Sequence, residues 1–322
     1  MTGPARLLAG VIALVAAAAA AQPYPQRPIR LVVPFPPGGN VDTLARVLAR
    51  QVEAQLGQPL VIDNRGGANG IVGVDIVAKA PPDGYTLLAT SFSFAVNPSI
   101  YRKLPYDTEK DFAPVTNYAL GLGYLLTVHP AVPAHTVPEL IALGRNQDSP
   151  LRYSSAGIGN GTHLAAELFA LKAGIHMLHI PYKGGGPAMT AALSGETQVT
   201  FPAVAVGAPH VKSGRIRALG FTGSARVASL PDVPTIAEAG LAGFHFDSGW
   251  HALFAPAHTP ATVVAQLHAE IRKALEAPRV RDTFVAGGYE PRADAPAAFR
   301  QSLASDIRLY SEVVKAAGIE AQ

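Results

Sequence analysis

The feature that most constrains this chain is the segment Pro-Phe-Pro-Pro-Gly-Gly-Asn-Val-Asp at residues 34–42. The apolar run Ile29 to Val33 before it is typical of a buried β-strand, and apolar residues recur at helical spacing from Thr43 to Leu56 after it. Two glycines in the turn leave backbone N–H groups accessible, and a helix N-terminus adds partial positive charge. The segment therefore predicts a site for a small anion such as a carboxylate.

A second segment later in the chain repeats this arrangement. Leu151 to Ser155 reads as a short strand, Gly-Ile-Gly-Asn-Gly follows at residues 157–161, and a helix begins near Thr162. Two such turns that face each other across a cleft would hold a small anion from both sides.

Strand-like and helix-like segments alternate along the chain, which predicts an α/β fold of two domains, each a mainly parallel sheet flanked by helices. Ligands bind at the carboxyl ends of strands in open sheets of this kind. We predict chain crossings near Ala119–Tyr124 and near Gly249–Pro256, the latter as a linker. Domain 1 then comprises residues 22–122 and 254–322, and domain 2 residues 123–253. A hinge between them permits closure around a ligand.

Residues 1–21 are predicted to be a signal peptide, with Arg6 before the apolar run Leu7 to Ala20 and cleavage near Ala21. The alternative is a retained membrane anchor, for which the run is short, since a span needs about 20 residues. The absence of cysteine excludes disulfides and thiol chemistry. We expect a soluble, monomeric periplasmic protein. Its basic residues are scattered at a net charge of +3, which argues against nucleic-acid binding.

Motifs along the whole mature chain resemble the extracytoplasmic solute receptors of tripartite tricarboxylate transporters, the Bug-type family. They include Val33 to Gly39 with Asp42, Asn64 to Ala68, Asp83 to Leu87, Thr162 to Leu164, Pro181 to Gly185 and Leu230 to Thr235. The resemblance implies a two-domain, type II periplasmic-binding-protein fold without a cofactor. It also implies capture of a small carboxylate, whether a di- or tricarboxylate, an amino acid or an aromatic acid, for delivery to membrane permease subunits.

The first-choice ligand residues are Pro37, Gly38 and Gly39; the alternative is an ordinary strand-to-helix turn. The resemblance implies contacts through backbone groups and ordered waters, which bind nearly as well as direct contacts. Asn40 and Asp42 are interpreted either as a helix N-cap and a first-turn acid that complements the dipole, or as ligand contacts.

Further ligand candidates follow other predicted strands. In the second turn they are Gly157, Gly159, Thr162 as a hydroxyl donor, and His163 as a donor or a supporting residue. Tyr182 is expected to line or shape the cleft, and Lys183 is either a cationic partner or a solvated loop residue. Ser91 and Phe92 are expected to line the pocket. The alternative for Phe92 is that its ring belongs to the core. Asp247 is expected to border the cleft and to bind a ligand amino group.

Three functions remain open from the sequence: a non-enzymatic receptor, a sensor for a signalling partner, and an exported α/β hydrolase or lyase. An enzyme needs a nucleophile or an acid–base pair at a strand end, whereas these strand ends carry mainly glycine, serine, threonine and proline. We expect no catalytic residues. We also expect no metal, because His176 and His179 would point to opposite faces of a strand.

Overall fold

A computed structural model describes residues 24–146 and 149–316 of the chain. The predicted signal peptide lies outside the described residues. Among the helices of the described part, none is long and apolar enough to cross a membrane.

Eleven strands form two sheets within the described residues. They are β1 (Ile29–Val33), β2 (Leu60–Asn64), β3 (Thr86–Ser91), β4 (Phe112–Gly121), β5 (Leu125–Val128), β6 (Leu151–Ser155), β7 (Met177–Pro181), β8 (Val199–Thr200), β9 (Arg217–Phe221), β10 (Gly249–Pro256) and β11 (Tyr289–Pro291). The helices are α1 (Asn40–Leu56), α2 (Ile71–Ala78), α3 (Ser93–Ile100), α4 (Val137–Gly144), α5 (Gly161–Ala173), α6 (Gly185–Ser194), α7 (Val204–Lys212), α8 (Ala261–Glu276), α9 (Pro278–Ala286) and α10 (Pro296–Ala316).

The first sheet has the strand order β11-β4-β10-β3-β1-β2, and the second has the order β7-β6-β8-β5-β9. The predicted α/β class with two flanked sheets is confirmed. The sheets are mixed, however, and not mainly parallel. β2, β1 and β3 run parallel in one sheet and β7, β6 and β8 in the other, while the remaining pairings are antiparallel.

The segment Gly249–Pro256 is a central strand, so its prediction as a linker is wrong. β10 pairs with β3 on one side and β4 on the other, and all eight of its residues are buried. An unbroken apolar run such as Ala252 to Pro256 is what a strand covered on both faces requires. The boundary predicted at residue 253 thus falls inside a strand of the first sheet. We propose that the second crossing between the domains lies before Gly249.

From the same periodicities the sequence also predicts a helix over Thr235–Ala239 and a strand over Thr197–Ala203, and the structure differs at both. The segment Thr235–Ala239, predicted as a helix, forms turns, because the chain there bridges Thr235 to Phe221 beside β9. The predicted strand Thr197–Ala203 is reduced to β8. The helix α3 was not predicted, since Pro98 lies inside it.

The strands β1, β3, β6 and β8 end on the same side as the turns that the sequence singled out. Helices α1 and α5 begin at those turns, α6 begins after β7, and α7 begins after β8. The apolar core beneath them holds the turns in place, with Val33, Leu44, Tyr153 and Phe201 buried almost completely. The fold therefore brings the carboxyl ends of strands from both sheets to one cleft.

Candidate functional site

The first turn is held by the carboxylate of Asp42. Its oxygens accept hydrogen bonds from the Gly38 N–H at 3.0 Å and from Asn64 Nδ2 at 2.9 Å. Arg46 contacts both oxygens, through Nε at 3.0 Å and Nη2 at 2.9 Å. The side chain of Asp42 is buried, so these four contacts fix the backbone of the turn.

Burial alone would raise the pKa of Asp42, but the hydrogen bonds from Arg46, the Gly38 N–H and Asn64 outweigh it and the pKa is lowered. Of the two interpretations of Asp42, the contacts favour shaping of the turn. They also engage the Gly38 N–H, so that this donor is not free to bind a ligand.

The first turn differs from prediction in one respect. Gly39, not Asn40, is the N-cap of α1, and the helix has no side-chain cap. Asn40 begins the helix, and its Nδ2 lies 3.2 Å from Nε2 of the buried His251. The positive φ of the turn falls at Gly38 (+82°), whereas Gly39 has an ordinary φ of −80°.

The N-terminus of α6 meets the first turn across the cleft. A methyl group built on Gly39 would lie 3.8 Å from the Gly185 nitrogen, and one built on Gly186 would lie 2.9 Å from the Pro37 oxygen. Like α1, α6 has a glycine N-cap, Gly184, and no side-chain cap. Two uncapped helix N-termini, one from each domain, therefore meet through glycines, and their open N–H groups attract an anion.

The second turn is closed by its own side chains. Asn160 caps α5 by accepting from the Thr162 N–H, and Thr162 Oγ1 accepts from the Ala156 N–H at 2.8 Å. Gly157 and Gly159 have φ values of +129° and +72°, in the region that favours glycine. The Thr162 hydroxyl lies in the cleft but also supports the turn.

His163 lies beneath the second turn and supports it. Its Nδ1 accepts from the Gly159 N–H at 3.1 Å, and its ring stacks on that of His179 with centroids 4.2 Å apart. The ring of Tyr153 also stacks near His179, with centroids 4.8 Å apart, and its hydroxyl donates to Glu167. Burial, with the neighbouring His179, lowers the pKa of His163 to about 3, so the ring is a neutral acceptor at Nδ1.

The two domains enclose a cavity that is lined by neutral groups. Its residues are Asn40, Ser154, Ser155, Ala156, Thr162, Gly185, Ala188, Met189, Thr200, Pro202, Ala203 and Val206. The centre of a water-sized sphere can occupy about 20 Å³ of it, which is room for about one water. An open groove of about 590 Å³ shares Met189 and Val206 with the cavity and continues along α6 and α7 past His210 and Arg215. In this structure the cavity therefore has room for a water but not for a larger ligand.

Of the predicted ligand residues, all of which are described, Asn40 and Thr162 line this cavity, Gly38 lines the open groove, and the others line neither. Phe92 is buried against Tyr310 and beneath Gly161, and Ser91 Oγ is 2.9 Å from Ser93 Oγ. The hydroxyl of Tyr182 donates to Glu196 at 2.6 Å.

The two charged candidates are exposed. Lys183 has no ion-pair or hydrogen-bond partner among the described residues. Asp247 lies 3.2 Å from His245 Nε2. Neither residue lines the cavity.

Three residues that line the cavity were not predicted from the sequence: Ser154, Ser155 and Thr200. They end β6 and β8, so the rule that ligands bind at the carboxyl ends of strands is the signal that would have found them. Ser155 Oγ lies 2.5 Å from Nε2 of His179, which is the pairing expected of a nucleophile and a base.

Ser155 and His179 are poorly suited to act as a nucleophile and its base. Burial lowers the pKa of His179 to about 4, and no carboxylate among the described residues hydrogen-bonds its ring. Ser155 Oγ also accepts from the Gly157 N–H at 3.2 Å. In the described part of the chain, no group of three or more histidines, aspartates or glutamates is placed to hold a metal ion.

Proteins of known family and known structure resemble this chain over most of its length. The family described as the tripartite tricarboxylate transporter family receptor matches residues 44–319. The structure of the periplasmic binding protein BugD has a TM-score of 0.87 and 32% identity, covering 93% of this chain and 100% of that one.

Two further solved structures contain ligands. Rpa4515 from Rhodopseudomonas palustris, solved with adipate, has a TM-score of 0.88 and 33% identity, covering 93% of this chain and 100% of that one. MatC from the same organism, solved with bound malate, has a TM-score of 0.83 and 31% identity, covering 90% of this chain and 100% of that one. The profile match and these whole-length similarities, with their shared two-domain fold, show that the chain belongs to the Bug-type family of tripartite tricarboxylate transporter receptors, whose members are periplasmic solute-binding proteins.

Proposed function

We propose that this protein captures a small carboxylate, in particular a dicarboxylate, in the periplasm and delivers it to the membrane permease of a tripartite tricarboxylate-type transporter. The observation that carries the proposal is the meeting of two uncapped helix N-termini, α1 and α6, beside a cavity of neutral polar groups. Adipate and malate in two relatives support a dicarboxylate.

The binding energy comes from dipoles and hydrogen bonds. Among the described residues no cationic or acidic side chain lines the cavity, so the carboxylate is held mainly by backbone N–H groups. The hydroxyls of Ser154 and Thr200 donate to the carbonyls of Ala188 and Ser154 in this structure and bind a ligand only by giving up those bonds. Such donors are fixed in place by the fold, and ordered water can bridge those that do not reach the ligand. Domain closure then removes the ligand from bulk solvent.

The experiment has two arms. A thermal-shift screen of mono-, di- and tricarboxylates identifies the ligand, and uptake of that ligand is measured in cells or vesicles with and without the candidate permease and this receptor. We expect uptake to require both. Ligand binding without any effect on uptake would favour the sensor function, and recovery of a chemically altered ligand after incubation would favour an enzyme using Ser155 and His179.

A further inference from the structure

The segment Gly67 to Gly70 forms a left-handed turn between the two domains. Four consecutive residues have positive φ: Gly67 (+138°), Ala68 (+45°), Asn69 (+49°) and Gly70 (+90°). A left-handed conformation costs free energy at every residue that carries a Cβ, and asparagine tolerates it better than alanine does. Strain of this kind persists where the surroundings enforce it, and it concentrates at functional sites.

The side chain of Asn69 is oriented by the buried residue Asn97. Asn69 Nδ2 donates to Asn97 Oδ1 at 2.9 Å, and Asn97 Nδ2 donates back to the Asn69 carbonyl at 3.3 Å. This pair directs the other amide atom of Asn69, Oδ1, away from Asn97. Oδ1 is buried and has no hydrogen-bond partner among the described residues. A buried acceptor without a donor is costly unless a donor reaches it in some state of the protein.

The group opposite Asn69 is the second ligand turn, in the other domain. A methyl group built on Gly157 would lie 3.9 Å from Asn69 Oδ1, and one built on Gly159 would lie 3.7 Å from Asn69 Nδ2 and 1.8 Å from Ile100 Cδ1. Asn69 and Ile100 of the first domain thus lie so close to the second turn that a side chain at Gly159 would collide with them. Asn69 itself does not line the cavity.

One backbone N–H of the second turn has no hydrogen-bond partner among the described residues. The N–H groups of Gly157, Gly159 and Asn160 are bonded to Ser155 Oγ, His163 Nδ1 and the Gly157 carbonyl. The Ile158 N–H has no partner among the described residues. A free acceptor on one domain therefore faces a turn with a free donor on the other.

We propose that Asn69 is a positioning residue for ligand capture: on closure, its Oδ1 accepts the Ile158 N–H and fixes the second ligand turn against the first domain. The inference rests on the proposed function, because it assigns a residue to the closure that captures the ligand. This role accounts for the strained turn, because the turn places the amide of Asn69 at the domain boundary.

The test compares Asn69→Gly, which removes the amide, with the matched control Ala68→Gly, which relieves backbone strain at the neighbouring residue and leaves the amide. The chain has no cysteine, so Arg50→Cys on α1 and Lys172→Cys on α5 give one label site in each domain. Label distances are recorded without ligand and with malate or adipate, together with hydrogen exchange of residues 156–161.

We expect Asn69→Gly to lower the fraction of closed molecules even without ligand. It should weaken binding of malate or adipate, whichever the wild type binds, roughly 5- to 30-fold. It should also abolish the protection from hydrogen exchange that the ligand gives to residues 156–161. Ala68→Gly should match the wild type in all three. Equal closure and equal affinity for the two variants would overturn the proposal. So would a loss of exchange protection throughout the first domain in Asn69→Gly, because that marks a purely structural role. If the wild type binds neither probe, the proposed function fails for dicarboxylates, and the ligand-free distances still decide the role of Asn69.

Discussion

Gly39 and Gly185 pack against each other across the cleft, with 3.8 Å between a methyl group built on Gly39 and the Gly185 nitrogen. The contact joins the N-termini of α1 and α6, which belong to different domains. Because neither residue has a side chain, the N–H groups of both helices remain open to a ligand in the cavity beside them.

The first prediction follows from this contact. The variant Gly39→Val should weaken ligand binding by at least about tenfold, about 1.4 kcal/mol, because its γ-methyl groups would occupy the gap between the helices. The matched charge variant Lys183→Ala should cost about 1 kcal/mol or less, since Lys183 is exposed and unpaired among the described residues. Calorimetric titration measures both. A larger loss for Lys183→Ala would mean that side-chain charge, not backbone donors, holds the anion.

The second prediction concerns domain closure. In Gly184→Ala the added methyl would lie 2.7 Å from Pro36 Cδ of the other domain, at a φ of +129°. The control Gly174→Ala also has a positive φ, +63°, but its methyl meets nothing within 4 Å. We expect small-angle scattering to show ligand-dependent compaction in the wild type and in Gly174→Ala, and none in Gly184→Ala. Compaction in all three would show that the turns do not touch in the closed state.

The third prediction concerns Asp42. Asp42→Asn should lower the free energy of unfolding by about 1.5–3 kcal/mol, because the carboxylate accepts charge-assisted hydrogen bonds that an amide cannot replace. Since the pKa of Asp42 is lowered in the folded protein, this contribution is present above the ordinary carboxyl pKa of about 3.9 and is lost as pH falls through the folded value. Urea unfolding measures it. Asp232→Asn, an exposed control, should stay within about 0.5 kcal/mol of wild type, and an equal effect in both variants would contradict the role of Asp42.

The fourth prediction is a loss of stability in acid. Burial lowers the pKa of His163 to about 3, that of His179 to about 4 and that of His251 to about 3. Each histidine is neutral when folded but takes up a proton below about 6.5 when unfolded. Stability is therefore complete above that pH and falls as pH drops towards the folded values, by about 1.4 kcal/mol per pH unit for each histidine.

Urea unfolding at pH 7.0, 6.0 and 5.0 checks this slope. His163→Gln should reduce the slope of stability against pH by the contribution of one histidine. The exposed control His176→Gln should leave that slope unchanged. A wild-type slope near zero across this range would show that the histidines are not held neutral by burial.

The sequence predicted the turns at residues 34–42 and 157–161 because glycine, proline and helical periodicity are local signals. It did not predict that α6 meets the first turn, since a contact such as Gly186 with the Pro37 oxygen joins residues distant in the chain. β10 was misread for the same reason: its central place in the sheet depends on pairing with β3 and β4, which flank it on both sides. The sequence left His163 open between a ligand donor and a supporting residue, because its position on the buried face of the turn depends on stacking with His179.

The central claim is that a carboxylate is bound between the domains by neutral donors and is released unchanged. Calorimetric titration with malate, adipate and the corresponding neutral diamides, followed by mass spectrometry of the recovered ligand, tests it most directly. We predict one-to-one binding of at least one acid, no measurable binding of its diamide, and recovery of the acid intact. Failure of both acids to bind, equal binding of the diamide, or conversion of the acid to a product would contradict the account.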